Sequence, residues 1–226
     1  MRQLPAAVLC DMDGTLVDSE DYWIATEIQL VQRNGGTWTH EDGLGLIGSS
    51  LKHSAGVLRT RGGVIGSDEE IIGDLVAGVS ALMREHGVVW RPGAREFLAS
   101  AREAEIPLAL VTMSYRVLAE TVAAELPEGT FHAVIAGDSV KRGKPHPEPY
   151  LAAASAIGVD IRACIGIEDS PTGLAAVEAS GARAIGVPCL VEIPAAAGRS
   201  RLASLMELTV NDLRSIAAGD VIDRLE

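Results

Sequence analysis

Four short segments of this chain carry side chains that could do chemistry together. They combine carboxylates, hydroxyls and one lysine, in the order Asp11-Met12-Asp13-Gly14, Thr112-Met113-Ser114, Lys144-Pro145 and Glu168-Asp169. A carboxylate can act as a nucleophile, exchange protons or bind a hard cation such as Mg²⁺. Lysine and hydroxyl groups bind anions. The set therefore predicts a site for a divalent cation and an anionic ligand.

The candidate ligands are hard oxygens, which favours Mg²⁺ over zinc. The three cysteines, Cys10, Cys164 and Cys189, contain no CxxC pair and are too few for a disulfide framework. They are typical of small buried side chains in a reducing compartment.

Short apolar runs predict the strands that must position these segments. They lack clean alternation, which is typical of strands buried on both faces of a parallel sheet. Predicted strands are 6–10, 107–111, 133–136, 163–167, 184–187 and 208–210, and predicted helices between them are 94–105, 114–126, 147–157 and 172–180. Because parallel strands end at one edge of a sheet, the four segments are expected to converge there.

Residues 16–90 interrupt this strand-helix alternation directly after the first strand. The pattern predicts helices over 20–33 and 70–86, the second with apolar residues at three- and four-residue spacing. The Arg91-Pro92-Gly93 turn is the predicted point of return to the α/β part. The chain is therefore expected to have an α/β core formed by 1–15 and 91–226, interrupted by a helical segment over 16–90.

The charge balance restricts the partners. With 31 acidic and 19 basic residues the net charge is −12, and only three of the bases are lysines. Such a chain lacks the positive field needed to bind nucleic acid or an anionic membrane. No apolar stretch approaches the roughly 18 residues of a membrane span, and no signal peptide is recognised. We expect a cytoplasmic protein with a small-molecule partner; oligomeric state is not readable.

The ordered motifs resemble those of the haloacid dehalogenase-like hydrolases, and among these the β-phosphoglucomutase-like subgroup of phosphatases and phosphomutases. The matching stretches are DMDGTLVDSE, VTMS, GKPHPEPY and GIEDSPTG. The resemblance implies a Rossmann-like parallel-sheet core in 1–15 and 91–226, with 16–90 as an inserted helical cap domain.

The resemblance also implies the role of each core residue. Asp11 would be the nucleophile that forms an aspartyl-phosphate, and Asp13 the general acid and base. Thr112 and Lys144 would act on the phosphoryl oxygens, with Gly14, Met113 and Ser114 binding substrate beside them. The Mg²⁺ ligands would be Asp11, Asp13 through its carbonyl, Glu168 and Asp169.

Three positions distinguish members of the family. Asp13 favours phosphoryl chemistry, because the dehalogenases and phosphonoacetaldehyde hydrolases lack an aspartate there. Trp23 stands where the mutases carry a cap histidine, and Leu51 stands where they carry a basic residue, with Lys52 one position later. These departures favour water over a second substrate as the acceptor. Trp23 and Lys52 are assigned to substrate binding, with packing and a solvated loop as the respective alternatives.

The sequence thus predicts a Mg²⁺-dependent phosphomonoester hydrolase acting on a small phosphorylated metabolite, with a sugar phosphate favoured. A β-phosphoglucomutase-like phosphomutase is the alternative within the family. A receiver-type phosphoacceptor module is the alternative from another class, but it would place its acidic pair before the acceptor aspartate. The GxGxxG pattern at 43–48 follows no predicted strand, which argues against dinucleotide binding.

Overall fold

The computed structural model describes residues 3–46 and 49–225. The chain divides into two compact units, one formed by Met1–Asp18 with Val89–Glu226 and the other by Ser19–Val88. None of the helices in the described part of the chain has the length and apolarity that a bilayer crossing requires.

The first unit is built on a six-stranded, wholly parallel sheet. Its strands are β1 (Ala7–Cys10), β2 (Leu108–Val111), β3 (Ala133–Ile135), β4 (Cys164–Glu168), β5 (Arg183–Gly186) and β6 (Arg199–Arg201). Their order across the sheet is β3-β2-β1-β4-β5-β6. This arrangement confirms the predicted Rossmann-like α/β class.

Helices cover both faces of the sheet. Within the described residues the chain forms α1 (Glu20–Arg33), α2 (His40–Leu44), α3 (Leu51–Thr60), α4 (Asp68–His86), α5 (Ala94–Glu103), α6 (Arg116–Ala124), α7 (Glu148–Ile157), α8 (Pro171–Ser180) and α9 (Val210–Ala217). Helices α7 and α8 pack on the face that carries Leu9 and Val111. Val8 and Leu110, which point the other way, are equally buried. Burial on both faces explains the uninterrupted apolar runs.

Strand β1 lies at the centre of the sheet, between β2 and β4. Cys10 pairs with Leu110 on one side and with Ile167 on the other, so the three strands end at the same level. The chain runs outward in one direction through β2 and β3 and in the other through β4, β5 and β6. This is a topological switch point, where ligands bind at the carboxyl ends of strands in open parallel sheets.

The sixth predicted strand was wrong. Residues 208–210 form no strand, because Thr209 caps α9 reciprocally with Asp212 and Val210 is already helical. The sixth strand is instead β6, whose sequence is Arg-Ser-Arg. Ion pairs from Arg199 to Glu178 and from Arg201 to Asp223 hold this polar edge strand in place. Because its three residues are polar, the sequence shows no apolar run there.

The second unit consists of helices α1 to α4. The apolar spacing of α4 buries Leu75, Val79 and Met83, and α1 packs against it. Helix α4 begins at Asp68 rather than 70, because Ser67 and Glu70 form a capping box. Helix α1 has the predicted bounds.

A buried carboxylate in this unit has a consequence for stability. Glu27 is almost fully buried and accepts a hydrogen bond from Trp38 Nε1 at 3.2 Å. Burial raises the pKa of Glu27 from 4.5 to about 7, although the Trp38 hydrogen bond partly opposes this. At pH values between 4.5 and about 7, Glu27 therefore carries a proton in the folded chain but has lost it in the unfolded chain.

We predict that Glu27 makes the protein less stable as pH rises through this window. The free energy of unfolding in urea is measured for the wild type and for Glu27→Gln at about pH 5 and about pH 7.5. Between these pH values the wild type should lose about 2 kcal/mol more than the variant. The neutral amide has no proton to lose, so the variant has the flatter profile. Parallel profiles for the two proteins would contradict the assignment.

Candidate active site

A buried lysine connects three strand ends at the switch point. Lys144 Nζ lies 2.6 Å from Asp11 Oδ1, 2.7 Å from Glu168 Oε1 and 2.9 Å from the carbonyl oxygen of Val111. The lysine side chain is 7 % exposed. Asp11 follows β1, Val111 ends β2 and Glu168 ends β4, so the order of the strands brings these groups together.

The surroundings of Lys144 keep it charged. Burial by itself lowers the pKa of a lysine, but the adjacent Asp11 and Glu168 carboxylates outweigh it and raise the pKa of Lys144 above its ordinary value. The ammonium group has three donors and three acceptors within reach. The site therefore contains one permanent, fully engaged cation.

In the described part of the chain, the Lys144 ammonium faces three carboxylates. Among the described residues, Asp11, Glu168 and Asp169 each offer a carboxylate oxygen, and these oxygens lie within 4.8 Å of one another. Burial, followed by repulsion from the neighbouring carboxylates, raises the pKa of Asp11 to about 7 and that of Asp169 to about 9. Lys144 opposes both shifts without cancelling them. The site thus brings together more carboxylate groups than Lys144 can neutralise.

The carboxylate cluster fits a hard divalent cation. Asp11 Oδ2 is buried and has no hydrogen-bond partner among residues 3–46 and 49–225. A buried carboxylate oxygen without a partner is costly, and a cation would relieve both that cost and the mutual repulsion. Because the donors are carboxylate oxygens, they suit Mg²⁺. Participation of the Asp13 carbonyl remains a prediction.

Gly14 leaves space that the acidic cluster needs. Its φ of +83° belongs to the left-handed region, and a Cβ there would overlap the Asp169 carboxylate. Its own N–H donates to the carbonyl of Val17 at 2.8 Å. Gly14 therefore lets Asp169 approach the turn after β1, while a contact with substrate at Gly14 stays a prediction.

Two hydroxyl groups donate to the second aspartate of the turn. Asp13 Oδ2 accepts hydrogen bonds from Thr112 Oγ1 at 3.0 Å and from Ser114 Oγ at 2.8 Å. The Ser114 N–H donates in turn to Thr112 Oγ1 at 2.9 Å. These bonds keep Ser114 in the loop, so α6 begins at Arg116 and not at the predicted residue 114. Phosphoryl binding by Thr112 stays a prediction.

Met113 connects the loops that follow β2 and β3. Its Sδ accepts the backbone N–H of Lys144 at 3.3 Å. The Met113 sulfur lies 2.7 Å from where a Cβ on Gly143 would stand, so that glycine permits the close approach. The side chain of Met113 thus supports the loop that presents Lys144. The predicted phosphate contact of its backbone amide is not tested by these bonds.

The two substrate-binding residues predicted outside the core lie in the Ser19–Val88 unit. Trp23 is half-buried on α1, and Lys52 is exposed in the first turn of α3. Ser50 caps α3 by accepting the N–H of His53. Residues 47 and 48, the last two of the GxGxxG pattern, are outside the described residues. The roles of Trp23 and Lys52 remain predictions.

Sequence reasoning missed three contacts around Glu168. The Tyr150 hydroxyl donates to Glu168 Oε1 at 2.7 Å, and Ser170 Oγ donates to Oε2 at 3.2 Å. A Cβ on Gly173 would overlap the Glu168 carboxyl group. The tyrosine in GKPHPEPY gave a usable signal, because a buried phenol generally requires a hydrogen-bond acceptor.

Comparison with known proteins agrees with this geometry. The family model for "haloacid dehalogenase-like hydrolase" matches residues 5–181. Hexitol phosphatase B of Escherichia coli strain K12 is 31% identical over 222 residues, which cover 94% of this chain and 97% of that protein. Validoxylamine A 7'-phosphate phosphatase of Streptomyces hygroscopicus subsp. limoneus is 31% identical over 181 residues, covering 79% of this chain and 84% of that protein.

A solved structure shows the same fold. CbbY from Rhodobacter sphaeroides, crystallised in complex with xylulose-(1,5)-bisphosphate, superposes with a TM-score of 0.81 at 28% identity. The match covers 91% of this chain and 96% of that one. With the family model spanning most of the chain, the chain belongs to the haloacid dehalogenase-like hydrolases, within their β-phosphoglucomutase-like subgroup of phosphatases and phosphomutases.

Proposed function

We propose that this protein is a Mg²⁺-dependent phosphomonoester hydrolase that acts on a small phosphorylated metabolite, with a sugar phosphate as substrate. The observation that carries the proposal is the buried Asp11 carboxylate. One of its oxygens is held by Lys144 at 2.6 Å and the other has no hydrogen-bond partner in the described part of the chain. An anionic oxygen fixed in this way at the switch point suits nucleophilic attack on phosphorus.

Asp11 forms the covalent intermediate in the proposed reaction. An Asp11 carboxylate oxygen bonds to phosphorus as the bond from phosphorus to the leaving oxygen breaks. The products of this step are an aspartyl-phosphate and the dephosphorylated metabolite. A water molecule then attacks the same phosphorus, the bond to Asp11 breaks and inorganic phosphate leaves. One difficult displacement is thereby divided into two easier ones.

Asp13 moves the protons in both steps. It gives a proton to the leaving oxygen in the first step and takes one from the attacking water in the second. Its partners Thr112 and Ser114 suit both forms, because a hydroxyl can donate to a carboxylate and can also rotate to accept from a carboxylic acid. The ammonium of Lys144 can only donate, so it supports Asp11 as an anion.

Lys144 places positive charge beside the nucleophile, where it would also stabilise the transferring phosphoryl oxygens. Asp11, Glu168 and Asp169 are the residues that would hold Mg²⁺, joined by the Asp13 carbonyl. When bound, the cation would offset the repulsion between an anionic nucleophile and an anionic phosphate. Thr112, with Gly14, Met113 and Ser114, would bind the phosphoryl oxygens.

The relatives support the choice of reaction. Two proteins at 31% identity are named as phosphatases, one of them a hexitol phosphatase. We further propose that the Ser19–Val88 unit is the cap domain of this enzyme and that it selects the substrate, with Trp23 and Lys52 as contacts. The cap histidine of the mutases is replaced by Trp23, which favours hydrolysis.

We predict that Asp11→Asn abolishes phosphate release. Purified wild type should release inorganic phosphate from a panel of sugar and polyol phosphates with Mg²⁺, and a chelator should stop the reaction. The amide is a poor nucleophile, so the variant should lose at least about a thousandfold in kcat. The matched control is Asp18→Asn, which changes an exposed aspartate seven residues away and should retain wild-type activity.

Four outcomes of this experiment would contradict the proposal. Phosphate release that survives chelation, or that persists in Asp11→Asn, would exclude the proposed mechanism. Conversion of β-glucose 1-phosphate to glucose 6-phosphate without phosphate release would identify a mutase instead. A protein that becomes phosphorylated once and does not turn over would be a phosphoacceptor module.

We predict that Mg²⁺ stabilises the folded protein through Asp169. At a Mg²⁺ concentration about 100 times the dissociation constant, the free energy of unfolding should rise by about 2.7 kcal/mol. Asp169→Asn should be more stable than wild type without metal, because it removes one of three mutually repelling carboxylates, and should lose most of the Mg²⁺ effect. Thermal unfolding with and without Mg²⁺ measures both, and an equal Mg²⁺ response in the two proteins would exclude Asp169 as a ligand.

A further inference from the structure

Tyr150 is a fully buried aromatic residue that extends a polar group into the active site. Its ring packs in the core beneath the sheet, among residues of α7 and α8. Its hydroxyl donates to Glu168 Oε1 at 2.7 Å. Lys144 Nζ lies 5.3 Å from the centroid of the same ring. Tyr150 therefore contacts both members of the ion pair that supports Asp11.

The Tyr150 hydroxyl and the Lys144 ammonium share one oxygen of Glu168. Each approaches Oε1 to 2.7 Å, while Ser170 Oγ donates to Oε2 at 3.2 Å. Glu168 is 1% exposed. The carboxylate is thus fixed by donors on both oxygens, and the absence of a side chain on Gly173 leaves the space in which it sits.

This arrangement has a direct effect on Lys144. The lysine has a long, flexible side chain, and its place depends on three acceptors: Asp11, Val111 and Glu168. Of these three acceptors, Glu168 is the one whose orientation depends on a side chain from a helix, namely Tyr150 of α7. Without the phenolic donor, Ser170 and Lys144 still donate to Glu168, but Oε1 loses its neutral donor and is less firmly fixed against Lys144.

We propose that Tyr150 is a positioning residue that acts through Glu168 to hold the Lys144 ammonium against Asp11. Its effect on catalysis rests on the proposed phosphatase function, but its effect on Lys144 does not. A tyrosine that only filled the core would be replaced by phenylalanine without consequence for the lysine, since the ring is retained and only the hydroxyl is lost.

The test uses the small number of lysines in the chain. With ¹⁵Nζ-labelled lysine, the spectrum contains Lys52, Lys141 and Lys144, of which Lys52 and Lys141 are exposed and exchange their protons rapidly. The buried Lys144 should give a slowly exchanging ammonium signal. In Tyr150→Phe that signal should shift, and its protons should exchange about tenfold faster or more. Tyr22→Phe, which removes a hydrogen bond to the Gly87 carbonyl, is the matched control and should leave the signal unchanged.

Activity gives the second readout. Tyr150→Phe should lower kcat about tenfold with little change in KM, because the altered group acts on the nucleophile and not on substrate binding. An unchanged Lys144 signal in Tyr150→Phe would overturn the proposal, even if kcat fell. Absence of a slowly exchanging lysine signal in the wild type would overturn it as well.

If the Tyr150→Phe variant does not fold, a second measurement tests the same contact in the wild-type sequence. The chain has three tyrosines, Tyr22, Tyr115 and Tyr150, and uniform 3-fluorotyrosine keeps each ring and hydroxyl while making the phenol a stronger donor. It should shift the Lys144 signal, and no shift would contradict the proposal. If the Lys144 signal shifts as expected but the wild-type protein releases no phosphate from any substrate, the proposed function fails while the positioning of Lys144 by Tyr150 stands.

Discussion

The contact between the Lys144 ammonium and the buried carboxylates at the sheet edge is the interaction on which the site depends. Lys144 faces Asp11, Glu168 and Asp169, so the fold gathers more carboxylate groups at this place than the lysine can neutralise. Taking such charges out of water is costly unless they are paired. The parallel sheet is the cause of this cost. Its strands β1, β2 and β4 are buried on both faces and end at one level, so the charged groups at their ends lie close together away from water.

Small residues make that concentration of charge sterically possible. A side chain at Gly14 would overlap Asp169, and one at Gly173 would overlap Glu168. The overall charge of −12 therefore says little about the chemistry. What matters is that one of only three lysines is buried at the centre of the acidic cluster, where it offsets part of the negative charge beside Asp11.

The sequence predicted the parts of the molecule that follow from local pattern. Continuous apolar runs located β1 to β5 within one residue at each end, since strands buried on both faces carry no other pattern. The convergence of the four motifs followed from the carboxyl-end rule for parallel sheets. The edge strand β6 was missed because Arg199 and Arg201 are fixed by ion pairs, not by burial of apolar surface. Tyr150 was missed because its partner, Glu168, is distant in sequence and only packing of α7 on the sheet brings them together.

Two aspartates two residues apart acquire different chemistry from their partners. Asp11 is bonded to an ammonium that can only donate, which favours the anionic form of Asp11 and suits its proposed role as nucleophile. Asp13 is bonded to the hydroxyls of Thr112 and Ser114, which can reverse their direction and so accompany a proton that comes and goes. The DxD spacing provides the two carboxylates, but the loops after β2 and β3 supply the different partners on which their proposed roles depend. The division of labour proposed for this site is therefore a property of the tertiary structure, and the motif alone does not contain it.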